Sequence, residues 1–315
     1  MSSQNIEIYS NNEIMVQKNR FESFIDRWLT FLDIKESSEY TYKVVLKQFL
    51  EFLFNKGISR PEKGDILEYK KILERKEFKP KTISLYLVVI KQFFKYLEEE
   101  KLYENIASKI KSVKDSSDFG RDNLTDTQAK ILLESIDRKT IKGKRDYAIV
   151  SLMLTTGLRT IEVVRANIGD RRTLGNSTVL YVHGKGRNTK DDFVKLSEPV
   201  IQAINEYLMT RKDNKSKSPL FTSVSNKSKN NRIYVKSLSR LIAHLLEHAG
   251  LKTDRITAHS LRHTAATINL LNGGTIDSTQ QFLRHASINT TLKYSHHLEK
   301  VNNDSNERIT DVLFS

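Results

Sequence analysis

The stretch HSLRHTAATINLLNGGTIDSTQQFLRHASINTTLKYSHH, residues 259–297, combines basic and aromatic side chains at an unusual density. It contains most of the protein's eight histidines, together with two arginines and one tyrosine. The residues concerned are His259, Arg262, His263, Arg284, His285, Tyr294, His296 and His297. A set of this kind predicts a cationic pocket around the tyrosine, in a part of the chain that is otherwise helical.

The composition predicts a protein with a polyanionic partner. The chain has 315 residues, 38% of them hydrophobic, which is enough for two domains with real cores. A net charge of +14 favours nucleic acid as the partner, with a solvated basic surface as the alternative. Cysteine is absent, which excludes disulfides and thiolate metal sites. Without a run of about 18 apolar residues or a secretion signal, we expect no membrane partner and a cytoplasmic, nucleoid-associated location.

Changes in composition along the chain predict two domains and two distinct ends. Residues 1–17 are polar and predict a flexible N-terminus, whereas residues 18–112 have helical periodicity. A polar segment with one glycine and three aspartates predicts a linker at 113–123. A second domain covers 124–300, and a C-terminal tail follows at 301–315.

Two amphipathic helices are predicted within the first domain. EYTYKVVLKQFLEFLFNKG has an apolar stripe that ends at Gly57, and KPKTISLYLVVIKQFFKYLEEE has Pro80 near its start. Four lysines between the apolar positions are DNA-binding candidates: Lys43, Lys47, Lys91 and Lys95. The alternative for each of them is an ordinary solvated helix face.

A β signal interrupts the helical pattern at 177–197. STVLYVH and DDFVKLS alternate apolar and polar residues around the turn GKGRNTK, which predicts a β-hairpin. The hairpin loop carries Lys185, Arg187 and Lys190. The predicted fold class is therefore mainly α with a small β-sheet (α+β).

Metal and nucleotide chemistry are poorly supported by the sequence. His259 and His263 share the spacing of a zinc hydrolase motif, but Ser260 stands where that motif needs glutamate. The stretch around Tyr294 contains few carboxylates for magnesium. No glycine-rich segment has the Lys-Ser or Lys-Thr ending of a P-loop. We therefore expect neither a metal nor any other cofactor.

A tyrosine among cations can act as a nucleophile towards a phosphodiester. Two arginines can bind the non-bridging oxygens and stabilise the five-coordinate state, while histidines and a lysine transfer protons. TTGLRTIEVV supplies Arg159 at the edge of a buried helix, where Gly157 allows close backbone approach. Glu162 lies three residues later, where it can orient a neighbour on the same face.

Four motifs in order resemble the tyrosine recombinases, the phage-type integrase family, and specifically its Xer-like site-specific recombinases. The motifs are TGLRTIE, VHGKGR, HSLRHTAAT and FLRHASINTTLKYSH. In addition, SSEYTYKVVLKQFLEFL resembles the small helical core-binding (SAM-like) domain of the family. The resemblance implies a helical core-binding domain and a catalytic domain that close as a clamp on double-stranded DNA.

The resemblance also implies a role for each matching residue. The implied catalytic residues are Arg159, Lys185, His259, Arg262, His285 and Tyr294. The two arginines would bind the scissile phosphate, and Lys185 would be the general acid, with Arg187 or Lys190 as alternatives. His259 would deprotonate the nucleophile or hydrogen-bond the phosphate, and His285 would do the latter. Tyr294 would form a 3′-phosphotyrosyl bond, so rejoining would need no metal or ATP.

Three positions depart from the family pattern, and several functional questions stay open. Asn167 and Gly169 stand in the segment after the first arginine, where an apolar-and-acidic pattern is common. Arg284 stands where glycine is usual, and it could contact DNA, as could Arg187, or reshape the turn. The family implies a homo-tetramer on two DNA sites, a monomer or dimer on one site, and a tail exchanged between protomers. An accessory protein or second recombinase is a further partner to consider. The resemblance fits both Xer-like recombination and the integration or excision of a mobile element. A type IB topoisomerase and a non-catalytic DNA-binding descendant are the alternatives.

Overall fold

The computed structural model of the protein describes residues 21–32, 34, 36–113, 122–183, 189–224, 230–301 and 305–314. The chain divides into two compact units, Met1–Ser117 and Asp118–Ser315. The predicted flexible N-terminus and most of the predicted linker lie outside the described residues, so those boundaries stay predictions. No helix among the described residues combines the length and the apolar character needed to cross a membrane.

The first unit is a cluster of helices around an aromatic core. Its helices are α1 (Phe21–Phe31), α2 (Glu36–Asn55), α3 (Lys63–Arg75) and α4 (Pro80–Glu99). The predicted stripe of α2 is buried, and Phe49 packs edge-on against Phe94 of α4 with ring centroids 6.3 Å apart. Pro80 is the first residue of α4, where its missing N–H leaves no hydrogen bond unmade. Both predicted helices are therefore confirmed.

The second unit is mostly helical and is built around α6. Its helices are α5 (Asp126–Glu134), α6 (Ile141–Thr156), α7 (Thr160–Arg165), α8 (Glu198–Leu208), α9 (Val235–His248), α10 (Ala258–Leu271), α11 (Ile276–Leu283), α12 (Ile288–Val301) and α13 (Ser305–Phe314). Thr125 caps α5, because its hydroxyl accepts a hydrogen bond from the Gln128 backbone N–H at 3.1 Å. The apolar run of α6 is buried as expected, and it ends at Gly157 in the left-handed conformation.

A three-stranded antiparallel sheet completes the second unit. Strands β1 (Arg171–Leu174), β2 (Ser177–Val182) and β3 (Asp192–Lys195) lie in that order, with Leu180 opposite Val194. The predicted hairpin of β2 and β3 is confirmed, and with it the α+β fold class. Strand β1 was not predicted from the sequence. Its residues are mostly exposed and lack the alternation that marks a half-buried strand, so only pairing with β2 defines it.

The stretch quoted first folds as three consecutive helices, α10, α11 and α12. The Thr275 hydroxyl caps α11 by accepting from the Ser278 backbone N–H at 3.1 Å. Arg284 ends α11 in the left-handed conformation, with φ 55° and ψ 48°. The cap at Thr275 and the left-handed residue Arg284 mark the two places where the chain turns within residues 259–297. As a result, α12 packs against α10 and α11.

Candidate active site

Arg159 lies directly before α7 and is paired with a buried carboxylate. Its guanidinium Nη1 donates to Glu162 Oε1 at 2.9 Å, and its backbone N–H donates to Glu162 Oε2 at 2.7 Å. The Glu162 side chain is fully buried, whereas that of Arg159 is 22% exposed. The carboxylate therefore fixes both the backbone and the side chain of Arg159, while part of that side chain faces solvent.

Arg262 of α10 is buried and connects two other segments. Its guanidinium donates to the carbonyl oxygens of Gly157 and Leu283. Burial first, and the charge of Arg159 second, lower the pKa of Arg262 to about 10, which leaves it cationic at neutral pH. The side chain thus joins the end of α6 to the end of α11, and it carries a positive charge into the site.

Gly157 makes this close approach possible. Its φ is +60°, and a Cβ at this position would lie 2.7 Å from Cδ2 of the buried Leu283. A side chain would therefore force the buried side chain of Leu283, the last residue of α11, to shift. The sequence-based reason for a glycine here is confirmed, although its contact with Leu283 was not predictable.

Arg284 lies against Glu162 in the structure. Its Nη2 is 3.0 Å from Glu162 Oε2, and its Nε is 3.7 Å from Asp192 Oδ2 at the start of β3. Its side chain is only 9% exposed. The sequence showed that Arg284 stands where glycine is usual, but it did not reveal the partners of Arg284, because Glu162 and Asp192 both lie far away in the chain.

Tyr294 of α12 is buried between aromatic rings. Its side chain lies parallel to the His285 imidazole, with centroids 6.4 Å apart, and tilted against His263 at 5.2 Å. His263 in turn contacts His259 edge-on at 4.9 Å. His263, for which the sequence indicated no role, is therefore a direct neighbour of Tyr294. Only 4% of Tyr294 is exposed.

Burial and charge act in opposite directions on the Tyr294 phenol. Burial raises its pKa, the positive charges of Arg262 and Arg159 lower it, and the result is about 12. Desolvation therefore outweighs the neighbouring cations, which by themselves would favour the phenolate. The phenol is therefore protonated at neutral pH.

His285 is held in its neutral form. Burial first, and then the charges of Arg262 and Arg159, lower its pKa to about 4. Its Nδ1 lies 2.9 Å from the hydroxyl of Thr291, a fully buried residue of α12. This hydroxyl orients the ring, and the sequence offered no distinct signal for it.

The remaining predicted residues lie elsewhere or outside the described residues. Lys185 and Arg187 belong to the latter, so their placement is not described. Lys190 forms a salt bridge with Asp170. On the first unit, Lys43 pairs with Asp26 at 2.8 Å and Lys95 with Glu99 at 3.5 Å, whereas Lys47 is exposed and Lys91 is half-buried.

Metal ligands are not grouped in this site. Within the part of the chain that the structure describes, no three histidine, aspartate or glutamate side chains form a group that could hold a metal ion. The groups that lie together are instead two guanidiniums, a neutral imidazole and a phenol. Arg159 lies directly before α7, Arg262 in α10, His285 in the turn before α12 and Tyr294 in α12. Such a set suits a tetrahedral oxyanion such as phosphate.

Comparison with known proteins identifies the family to which the chain is similar. Residues 122–300 match the model of the Phage integrase family, and residues 21–104 match that of its N-terminal SAM-like domain. Tyrosine recombinase XerA of Pyrococcus furiosus is 30% identical over 286 residues, which are 89% of this chain and 92% of that protein. Tyrosine recombinase XerC of Caldanaerobacter subterraneus subsp. tengcongensis is 39% identical over 176 residues, 55% of this chain and about half (46%) of that protein.

A solved structure shares the fold. The post-cleavage complex of XerH site-specific recombinase with palindromic difH substrate has a TM-score of 0.73 and 22% identity, and the match covers 92% of this chain and 85% of that one. The family match covers more than half of the chain, and the full-length likeness to XerA adds to it. The predicted family is confirmed: this chain belongs to the phage integrase family, as an Xer-like tyrosine recombinase.

Proposed function

We propose that this protein recombines double-stranded DNA at specific sites, using Tyr294 as the nucleophile. The observation that carries the proposal is the buried phenol of Tyr294, stacked on His285 and subject to the charges of Arg262 and Arg159. A tyrosine that served only the core would gain nothing from two cations beside it. Cations that bind a phosphate would stabilise the charge that develops on it during attack.

Arg159 and Arg262 bind the scissile phosphate in this mechanism. A guanidinium has five N–H donors in a planar fork. Arg262 uses two of its N–H groups to bind carbonyl oxygens, and Arg159 uses one to bind Glu162. Each therefore retains donors for non-bridging oxygens. The neutral His285 adds another if Thr291 donates to its Nδ1, because the proton then resides on Nε2.

In strand cleavage, the scissile phosphate exchanges its bond to the 5′ oxygen of the next nucleotide for a bond to the tyrosine. The phenolic oxygen of Tyr294 attacks phosphorus, the bond to the 5′ oxygen breaks, and a 3′-phosphotyrosyl bond forms. The phenol proton passes to His259 or to the phosphate, and Lys185 protonates the departing 5′ oxygen. Because the phenol has a raised pKa, the proton must leave as the bond forms rather than beforehand.

Rejoining reverses these steps with a different 5′-hydroxyl. The energy of the phosphodiester is conserved in the phosphotyrosyl bond, so no metal or ATP is consumed. Attack by the 5′-hydroxyl of a second duplex exchanges strands and produces a Holliday junction. Four protomers on two DNA sites would complete the exchange in the cytoplasm, one monomer or dimer binding each site before assembly.

The tail is the proposed contact between protomers. Helix α13 exposes four large apolar residues, which water solvates poorly: Ile309, Val312, Leu313 and Phe314. In a tetramer this face would be buried on a neighbouring protomer. Whether an accessory protein or a second recombinase takes part depends on the DNA site.

A covalent adduct on DNA tests the proposal. DNA joined to the protein in cells is sequenced to find the site, and a duplex nicked within that site is then incubated with purified protein. The nick lets the short fragment that carries the new 5′-hydroxyl diffuse away after cleavage, so rejoining is prevented and the 3′-phosphotyrosyl adduct accumulates. Tyr294→Phe should abolish the adduct and retain binding, whereas the matched control Tyr234→Phe, at an exposed tyrosine of the same unit, should form it.

A plasmid-relaxation assay, together with the adduct assay, separates the alternatives. A type IB topoisomerase would relax supercoiled plasmids that lack the site, and a non-catalytic DNA-binding protein would form no adduct at all. An adduct that persists in Tyr294→Phe would disprove the assignment of the nucleophile.

A further inference from the structure

Arg284 has an unusual backbone for its residue type. It ends α11 with φ 55° and ψ 48°, the left-handed region in which glycine has no steric penalty. A residue with a large side chain is disfavoured there unless that side chain makes compensating contacts. The contacts of the Arg284 guanidinium are therefore expected to offset this backbone penalty.

Those contacts are with two carboxylates and a backbone carbonyl rather than with solvent. Nη2 bonds to Glu162 Oε2 at 3.0 Å, Nη1 donates to the Phe282 carbonyl at 3.2 Å, and Nε lies 3.7 Å from Asp192 Oδ2. With 9% of its side chain exposed, Arg284 presents little of its charge to a DNA backbone. Its position therefore favours a role within the protein over direct contact with DNA.

The carboxylate of Glu162 is shared between two arginines. Oε1 binds the guanidinium of Arg159, and Oε2 binds both the Arg159 backbone N–H and the guanidinium of Arg284. A fully buried carboxylate needs its charge balanced and its lone pairs occupied. Arg284 supplies the second positive charge, so Arg159 can satisfy Glu162 through a single terminal nitrogen.

We propose that Arg284 is a positioning residue for strand cleavage: it fixes Glu162 so that Glu162 holds the Arg159 guanidinium with its remaining donors directed at the scissile phosphate. This inference rests on the proposed function above. It links the α11–α12 turn, which carries His285, to the N-terminus of α7. A side chain in the place of the usual glycine thereby takes part in the geometry of the phosphate site.

The test separates the rate of cleavage from the affinity for DNA. Single-turnover adduct formation on the nicked site is measured at saturating DNA for the wild type, Arg284→Gln, Arg284→Lys and Arg284→Gly, and binding is measured over a range of salt. We expect Arg284→Gln to lower the rate on the order of tenfold or more, because a small misplacement of a catalytic group has a large effect. Arg284→Lys should restore part of it, and affinity should change less than about twofold, since no phosphate contact is lost.

Controls address folding and the route of action. Arg138→Gln removes an arginine that pairs with Glu206 at 2.7 Å in the same unit, and it should leave the rate unchanged. In a Glu162→Gln background, the further change Arg284→Gln should have much less effect, because its target is already altered. Arg284→Gly removes the backbone strain, so it keeps the test valid if Arg284→Gln folds poorly.

The results distinguish an error in the positioning role of Arg284 from an error in the proposed function. If Arg284→Gly and Arg284→Gln both cleave at the wild-type rate, the positioning role is wrong. Weaker binding with a shallower salt dependence and an unchanged rate would make Arg284 a DNA contact, which also overturns it. Failure of the wild type to form an adduct through Tyr294 would instead reject the proposed function itself.

Discussion

The His285 imidazole lies parallel to the Tyr294 phenol, with 5° between the ring planes and 6.4 Å between centroids. The turn between α11 and α12 places both rings, and Thr291 orients the imidazole from the same helix as Tyr294. A change in this turn therefore moves a proposed phosphate ligand and the proposed nucleophile together.

The depressed pKa of His285 should make the second unit less stable in acid. The folded value is about 4 against an ordinary 6.5, so below pH 6.5 the unfolded chain binds a proton that the folded one does not. Stability should therefore fall as the pH is lowered from 6.5 to about 4, by at most about 1.4 kcal/mol per pH unit from this one group. Urea unfolding at several pH values should show a flatter dependence for His285→Gln. Equal slopes in both proteins would contradict the prediction.

Gly157→Ala should destabilise the protein more than a comparable change elsewhere. Both Gly157 and Gly175 have positive φ, but a Cβ meets Leu283 at the first position and nothing within 4 Å at the second. We expect Gly175→Ala to cost about 1 kcal/mol from backbone conformation alone, and Gly157→Ala to cost about 2 kcal/mol or more, because overpacking against Leu283 adds to that penalty. Urea midpoints measure the difference, and equal losses would show that the contact with Leu283 is unimportant.

Arg262→Lys should reduce stability as well as cleavage. The guanidinium bridges the carbonyls of Gly157 and Leu283, and a lysine ammonium lacks the fork to bond both. The loss of one charge-assisted hydrogen bond in a buried place corresponds to about 1.5–3 kcal/mol. Denaturant unfolding measures it, with Arg138→Lys as the control at a partly exposed arginine. An unchanged midpoint would show that the bridge is not a structural link.

Removal of the tail should affect assembly more than single-site binding. Deleting 303–315 removes the exposed apolar face of α13 without touching the residues around Tyr294. We expect one protomer to bind its half-site with little change, while complexes that join two DNA sites become scarce. Gel mobility and analytical ultracentrifugation distinguish the two species. Undiminished joining of the two sites would refute the proposed tail contact.

DNA binding should weaken steeply as salt is raised. The net charge of +14 implies that binding releases counterions, with a log–log slope of about −0.9 for each phosphate neutralised. Fluorescence anisotropy over a range of salt measures this slope. Lys47→Gln should make the slope shallower if this exposed lysine lies on the DNA face. A nearly flat dependence in the wild type would show that the basic surface serves another purpose.

Local structure in this protein was largely predictable from sequence because its causes are local. The cap at Thr125, the proline that begins α4 and the alternating pattern of β2 each act over a few residues. Strand β1 was missed because its residues are mostly exposed and it exists only through pairing with β2.

The sequence by itself determined which chemical groups the protein has, their order along the chain and the helices that carry them. Only the tertiary structure decided how those groups behave. Glu162 and Arg284 are separated by 122 residues yet form a 3.0 Å salt bridge, and burial rather than the neighbouring arginines sets the direction of the Tyr294 pKa. The physical reason is that Coulomb energies and desolvation depend on distances and on the exclusion of water, which exist only once the chain has packed.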